Sequence, residues 1–99
     1  MQDLRTQLAE AVDEAAWEWL IPHVKRDVVV VVTKELDLLD VGVAIASDDV
    51  LSVQHWISEE LVHKPFSEEL TIWNIDKTKR FQALILAPYV LVQEVSVPL

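Results

Sequence analysis

The chain has 99 residues, no cysteine, a single glycine and a formal net charge of -9. Its length suits one domain over residues 1–99, and without thiols neither disulfides nor thiolate metal sites can form. The 17 acidic residues against 8 basic ones argue against a nucleic-acid-binding surface and against docking on anionic membranes.

Hydrophobic residues make up 52% of the chain, enough to bury a core and more than a small globule can hide completely. The surplus favours self-association. The start Met1-Gln2-Asp3-Leu4-Arg5 lacks the pattern of a signal peptide, and no apolar run approaches bilayer length. The expected location is the cytoplasm.

Leu4, Leu8 and Val12 fall at helical spacing. Asp13 is placed to cap a second helix carrying Trp17, Leu20, Ile21 and Val24, with Pro22 as a kink or restart. One unbroken helix from Gln2 to Trp19 is the alternative. Five consecutive valines, Val28 to Val32, read as a central strand, because β-branched side chains suit a pleated surface. Lys25, Arg26 and Asp27 on one side and Lys34 and Glu35 on the other guard it against aggregation.

Leu38 to Ala46 fits two patterns. Val41, Val43 and Ile45 alternate as in a strand, while Leu36, Leu39, Val43 and Ala46 fit a helix. Gly42 and the β-branched residues favour the strand, closed as a hairpin through Thr33–Asp37. Ser47, Asp48 and Asp49 start a helix whose inner face is expected to hold Val50, Val53, Ile57 and Leu61, with Trp56 beside them. Lys64-Pro65 ends that segment. Ser67 is read as the cap of a short helix burying Leu70 and Trp73. Phe81 to Val95 is apolar and strand-like, and Pro88 requires an edge, a bulge or a break between two strands.

The order is therefore α-α-β-β-α-α-β: an α/β (α+β) domain with a small three-stranded mixed or antiparallel sheet and about four helices. If the two middle helices run antiparallel, the last strand lies parallel to the valine strand.

Chemistry-bearing motifs are sparse. There is no G-x-S-x-G elbow, and a lone glycine cannot build a phosphate loop, so no cofactor is expected. His55, Glu59 and His63 are spaced by four and would share a face of an unbroken helix, which makes them weak candidates for a metal. His23 and Asp27 could pair at helical spacing, either as a catalytic device or as a helix-end contact. The Asp37/Asp40 pair and Asp48/Asp49 suit capping and turns unless buried. Lys77, Lys79 and Arg80 form the basic cluster.

Of the four tryptophans, Trp17, Trp56 and Trp73 fall on apolar stripes. Trp19 lies off the inner face and is a candidate interface anchor. Tyr89 and Leu91 join it as interface candidates, since Phe81 to Val95 could offer an open edge to a second copy.

The blocks Trp17 to His23, Arg26-Asp27, Leu36 to Asp48, Val53 to Ile57, Lys79 to Ile85 and Pro88 to Glu94 together resemble a family of short bacterial proteins, cyanobacterial and proteobacterial, known as a domain of unknown function. The resemblance is one of whole-chain pattern and implies a bacterial cytoplasmic setting. Three functional readings follow: a non-enzymatic interaction domain that forms a homodimer; a small enzyme or ligand-binding domain using His23, His55 or the Asp37/Asp40 pair; and an acidic partner for a basic protein.

Overall fold

The computed structural model describes residues 3–76 and 78–95. In chain order the elements are α1 (Leu4–Ala11), β1 (Asp13–Ala16), α2 (Trp17–Lys25), β2 (Val29–Val32), α3 (Leu38–Ala46), α4 (Val50–Ser58), β3 (Val62–His63), α5 (Ser67–Ile75), β4 (Arg80–Leu86) and β5 (Tyr89–Glu94). The strands form one five-stranded sheet in the order β1-β4-β5-β2-β3. β2 and β5 are parallel, with Val29 opposite Val90 and Val31 opposite Val92, and every other pairing is antiparallel.

The sheet separates two cores. On one face Val29, Val31, Phe81, Ala83, Val90 and Val92 pack with Trp17 and Leu20 of α2 and Trp73 of α5. On the other, Val32, Val62, Leu84 and Leu91 pack with Leu8 of α1, Leu38 and Val41 of α3 and, partly buried, Trp56 of α4. The valine strand is thus interior, between β5 and β3. With both faces covered it has no polar side, which is why the run of valines does not alternate.

The class is α+β as read, but the details differ. There are five strands and five helices among the described residues, where the sequence reading expected three and four. Leu38–Ala46 is a helix. Asp37 caps it by accepting the Leu39 amide at 2.9 Å, and Gly42 sits where α3 crosses the sheet: a Cβ there would lie 2.6 Å from Leu84 Cδ2. The glycine that argued for a strand is needed for close approach between helix and sheet. Thr33–Asp37 consequently closes no hairpin. It leads into α3 and is held by the Gln93 side chain, which donates to the Thr33 and Leu36 carbonyls at 2.9 and 2.7 Å.

Asp13 caps nothing. It opens β1, opposite Ala83, so the unbroken helix from Gln2 to Trp19 fails as well. The α2 cap position is Ala16, which makes no side-chain cap bond, and Pro22 lies inside the helix. The cap of α5 is Phe66 rather than Ser67. The Phe66 amide donates to the Glu69 carboxylate at 2.9 Å, half of a capping box.

Pro88 follows a cis peptide bond in the turn between β4 and β5, so of the three positions open to it, an edge, a bulge or a break between two strands, it takes the break. Three helices end alike. Asp27, Asp48 and Glu60 take left-handed backbone angles (φ 61, 59 and 59°) just after α2, α3 and α4. Their amides, and those of Val28, Asp49 and Leu61 after them, bond back to the carbonyls of the last helical turn at 2.8–3.2 Å. This is the Schellman closure, with acidic residues at the position usually held by glycine.

Candidate functional site

An aromatic cluster anchors α2. The rings of Trp17 and Trp73 lie 5.3 Å apart and that of Phe81 meets Trp73 edge-on at 5.0 Å. Each indole has a polar partner: Trp17 Nε1 donates to Asn74 Oδ1 and Trp73 Nε1 to Glu94 Oε1, both at 2.8 Å. With Trp17 held inward, Trp19 two residues later points away from the core. It remains 44% exposed, its ring 4.6 Å from that of His23.

Beside Trp19 a groove of about 470 Å³ runs along β1. Its floor includes the small buried side chains Ala15 and Ala83, Ile85 of β4 stands 56% exposed, and Asp13 and Glu14 line it from the sheet edge. Small residues where a strand face would ordinarily present large ones are what leave the space open.

A second apolar surface lies on α4. None of its residues is fully buried. Val53 and Trp56 turn partly inward, whereas Val50, Leu51 and Ile57 are 51%, 81% and 53% exposed. The face read as Val50, Val53, Ile57 and Leu61 is therefore split: Val50 and Ile57 are exposed, while Val53 and Leu61 are partly buried beside Trp56.

The chemistry-bearing residues do not converge. His23 belongs to α2 on one side of the sheet, His55 and the Asp37/Asp40 pair to α3 and α4 on the other. His23 does not pair with Asp27. Its Nδ1 accepts from the Arg26 guanidinium at 2.8 Å, since a guanidinium can only donate, while Asp27 meets Lys64 Nζ at 2.6 Å. Asp37 and Asp40 are exposed and bridged by Arg5, at 2.8 Å for Asp37 and closer for Asp40. The hydrogen bond to Asp40 above all raises the Arg5 pKa.

α4 ends at Ser58, so Glu59 and His63 leave the helix that holds His55. No group of three or more His, Asp or Glu among the described residues is placed to hold a metal. His63 instead stacks flat on Phe66 at 3.9 Å, with Nδ1 2.8 Å from the Lys64 carbonyl and 3.6 Å from Glu69. Of the basic cluster, Lys79 pairs with Glu94 at 3.5 Å and Arg80 with Glu14 at 3.7 Å, and Lys77 lies outside the described residues.

The interface candidates divide. Trp19 and Tyr89 are exposed, but Leu91 is completely buried. β4 and β5, which carry Phe81 to Val95, are interior strands paired on both sides, so that segment offers no open edge. The edges are β1 and β3. Two surfaces, the β1 groove and the outer face of α4, went unread in the sequence. An available signal was the absence of any charged residue from Val50 to Ser58.

Two layers of helices on a mixed sheet, with apolar surface rather than clustered polar groups on view, define a small α+β domain. The chain belongs to the family described as a protein of unknown function, DUF2288, whose model matches residues 3–94. It is similar to PA1075 from Pseudomonas aeruginosa, known from an NMR solution structure, with a TM-score of 0.79 and 27% identity over 91% of this chain and 82% of that one. No curated protein matches the chain. Among the described residues no helix is long and apolar enough to cross a membrane.

Proposed function

We propose that this chain is a small protein-interaction domain that self-associates through the exposed face of α4. The observation that carries the reading is the composition of that face. Val50, Leu51 and Ile57 are more than half exposed, and the helix contains no Asp, Glu, Lys or Arg. Each of the other helices carries at least one acid: Glu10, Glu18, Asp40, and Glu68 with Glu69.

Two copies of a chain with net charge -9 repel wherever carboxylates face each other. α4 is the helix whose own residues add nothing to that cost, the nearest carboxylates lying at its two ends in Asp49 and Glu59. A single nine-residue helix is small beside the roughly 800 Å² per partner of standard interfaces. Burying its three apolar side chains gives a few kcal/mol per copy against an association cost of about 4–15 kcal/mol. The expected dimer is weak and reversible, with a dissociation constant of about millimolar order.

Sedimentation equilibrium from about 20 μM to about 2 mM spans that range. The weight-average mass is expected to climb from one chain, 11.3 kDa, toward two. Leu51→Lys holds it at one chain while the unfolding midpoint stays within about 0.5 kcal/mol of the parent. A mass of one chain throughout refutes the proposal.

A further inference from the structure

We propose that the groove along β1 takes an extended basic segment of a partner protein, laid beside Asp13–Ala16 as an added strand. β1 ends the sheet, and among the described residues its outer side carries no strand partner. Natural edges are commonly blunted by proline, a bulge or charged side chains; β1 has no proline and carries two carboxylates, Asp13 and Glu14, which turn away an acidic strand and leave the edge to a basic one. The opposite edge, β3, is two residues long and offers little to pair with. The Glu14 amide rests on the Asp13 carboxylate at 2.9 Å, a contact that an incoming carbonyl would replace. Four residues of β1 give a pairing length of about 13 Å, and all four line the groove. A strand added there turns alternate side chains to the face that carries Asp13, Trp19 and Ile85 and the others to the face that carries Glu14, the mode known as β-augmentation.

Charge selects the occupant. From Thr6 to Val24 the sequence holds Glu10, Asp13, Glu14 and Glu18 and no Lys or Arg. Arg80, 3.7 Å from Glu14 with both side chains more than half exposed, neutralises little in water. A second copy of this chain would set its own Asp13 and Glu14 against these, and nucleic acid would be repelled. A segment alternating Lys or Arg with aliphatic residues is attracted and can lay a cation on the exposed Trp19 ring.

The test is an amide-resolved NMR titration of the full chain with a short peptide alternating lysine and valine, and with its glutamate–valine counterpart. The lysine peptide is expected to shift amides of residues 11–19 and 83–85, with an affinity that falls about tenfold or more between low and high salt. Asp13→Asn with Glu14→Gln weakens binding about tenfold, as does Trp19→Ala. Both variants alter exposed side chains, and a dispersed spectrum shows that they fold. Leu51→Lys leaves peptide binding unchanged, so loss of self-association and loss of this site are separable. No shifts at millimolar peptide, shifts confined to α4, or an equal response to the glutamate peptide overturns the proposal.

Discussion

Gly42→Ala tests the packing of α3 on the sheet. The added Cβ would lie 2.6 Å from Leu84 Cδ2, 3.4 Å from Leu8 Cδ1 and 3.9 Å from Leu86 Cδ1, where carbon atoms sit comfortably at about 3.5–4.0 Å. Leu84 must therefore retreat by about 1 Å. It is wholly buried and has no solvent to swing into. Overpacking of this kind costs about 1–3 kcal/mol, while alanine returns about 1 kcal/mol of helix propensity. The expected net is a loss of about 1 kcal/mol, or about 4–8 °C in Tm for a domain of this size. Chemical unfolding followed by tryptophan fluorescence measures it. The decisive comparison is a double-mutant cycle: Leu84→Ala alone costs about 2–5 kcal/mol, but it also makes room for the methyl at position 42. The pair should be less destabilised than the sum by about 1 kcal/mol. If Gly42→Ala is at least as stable as the parent and shows no coupling to Leu84→Ala, the close approach is refuted.

Glu60→Gly is expected to stabilise the chain by up to about 1 kcal/mol, because Glu60 holds the left-handed position after α4 with a Cβ in the way; an unchanged or lowered Tm counts against that backbone. Leu91→Lys places an ammonium in a fully buried site and should abolish cooperative unfolding. Tyr89→Lys, at an exposed position, should leave the unfolding curve in place. Asp3 and Asp76 titrate below the ordinary aspartate value of 3.8 because each carboxylate accepts hydrogen bonds, from Thr6 and Thr78 respectively. Their depressed values make the stability they contribute complete above that pH and lost as the pH falls through the lower folded values. Carboxyl NMR titrations with midpoints at or above 3.8 would contradict those bonds.

Much of the fold was readable because it rests on local patterning. Val28–Val32 announces an interior strand by being apolar on both faces, and Pro88 announces a break because it cannot donate to a ladder. What stayed hidden depends on long-range packing. Asp13–Ala16 is too short and too polar to read as a strand, and it becomes one only because Arg80–Ala83 offers a ladder to join. Gly42 misled because helix propensity counts its missing Cβ as a defect, whereas the facing Leu84 makes the same absence a requirement. On α4 the apolar stripe divides, Val53 and Leu61 partly buried and Val50 and Ile57 exposed, a split that spacing alone does not show.

The site residues were harder to read for a related reason. Spacing by four along the sequence put His55, Glu59 and His63 on one face, but the Schellman closure at Glu60 turns the chain before His63. A helix end is set by which residue tolerates a left-handed backbone, and nothing in a Glu–Glu dipeptide marks that. The single glycine serves the contact between α3 and the sheet, so Asp27, Asp48 and Glu60 close three helices instead. Placing carboxylates at those turns also adds to the acidity of the surface. On such a surface charge separates the two proposed sites: the outer face of α4, with no Asp, Glu, Lys or Arg of its own, is proposed to take an identical copy, and the carboxylate-edged groove of β1 a cationic segment.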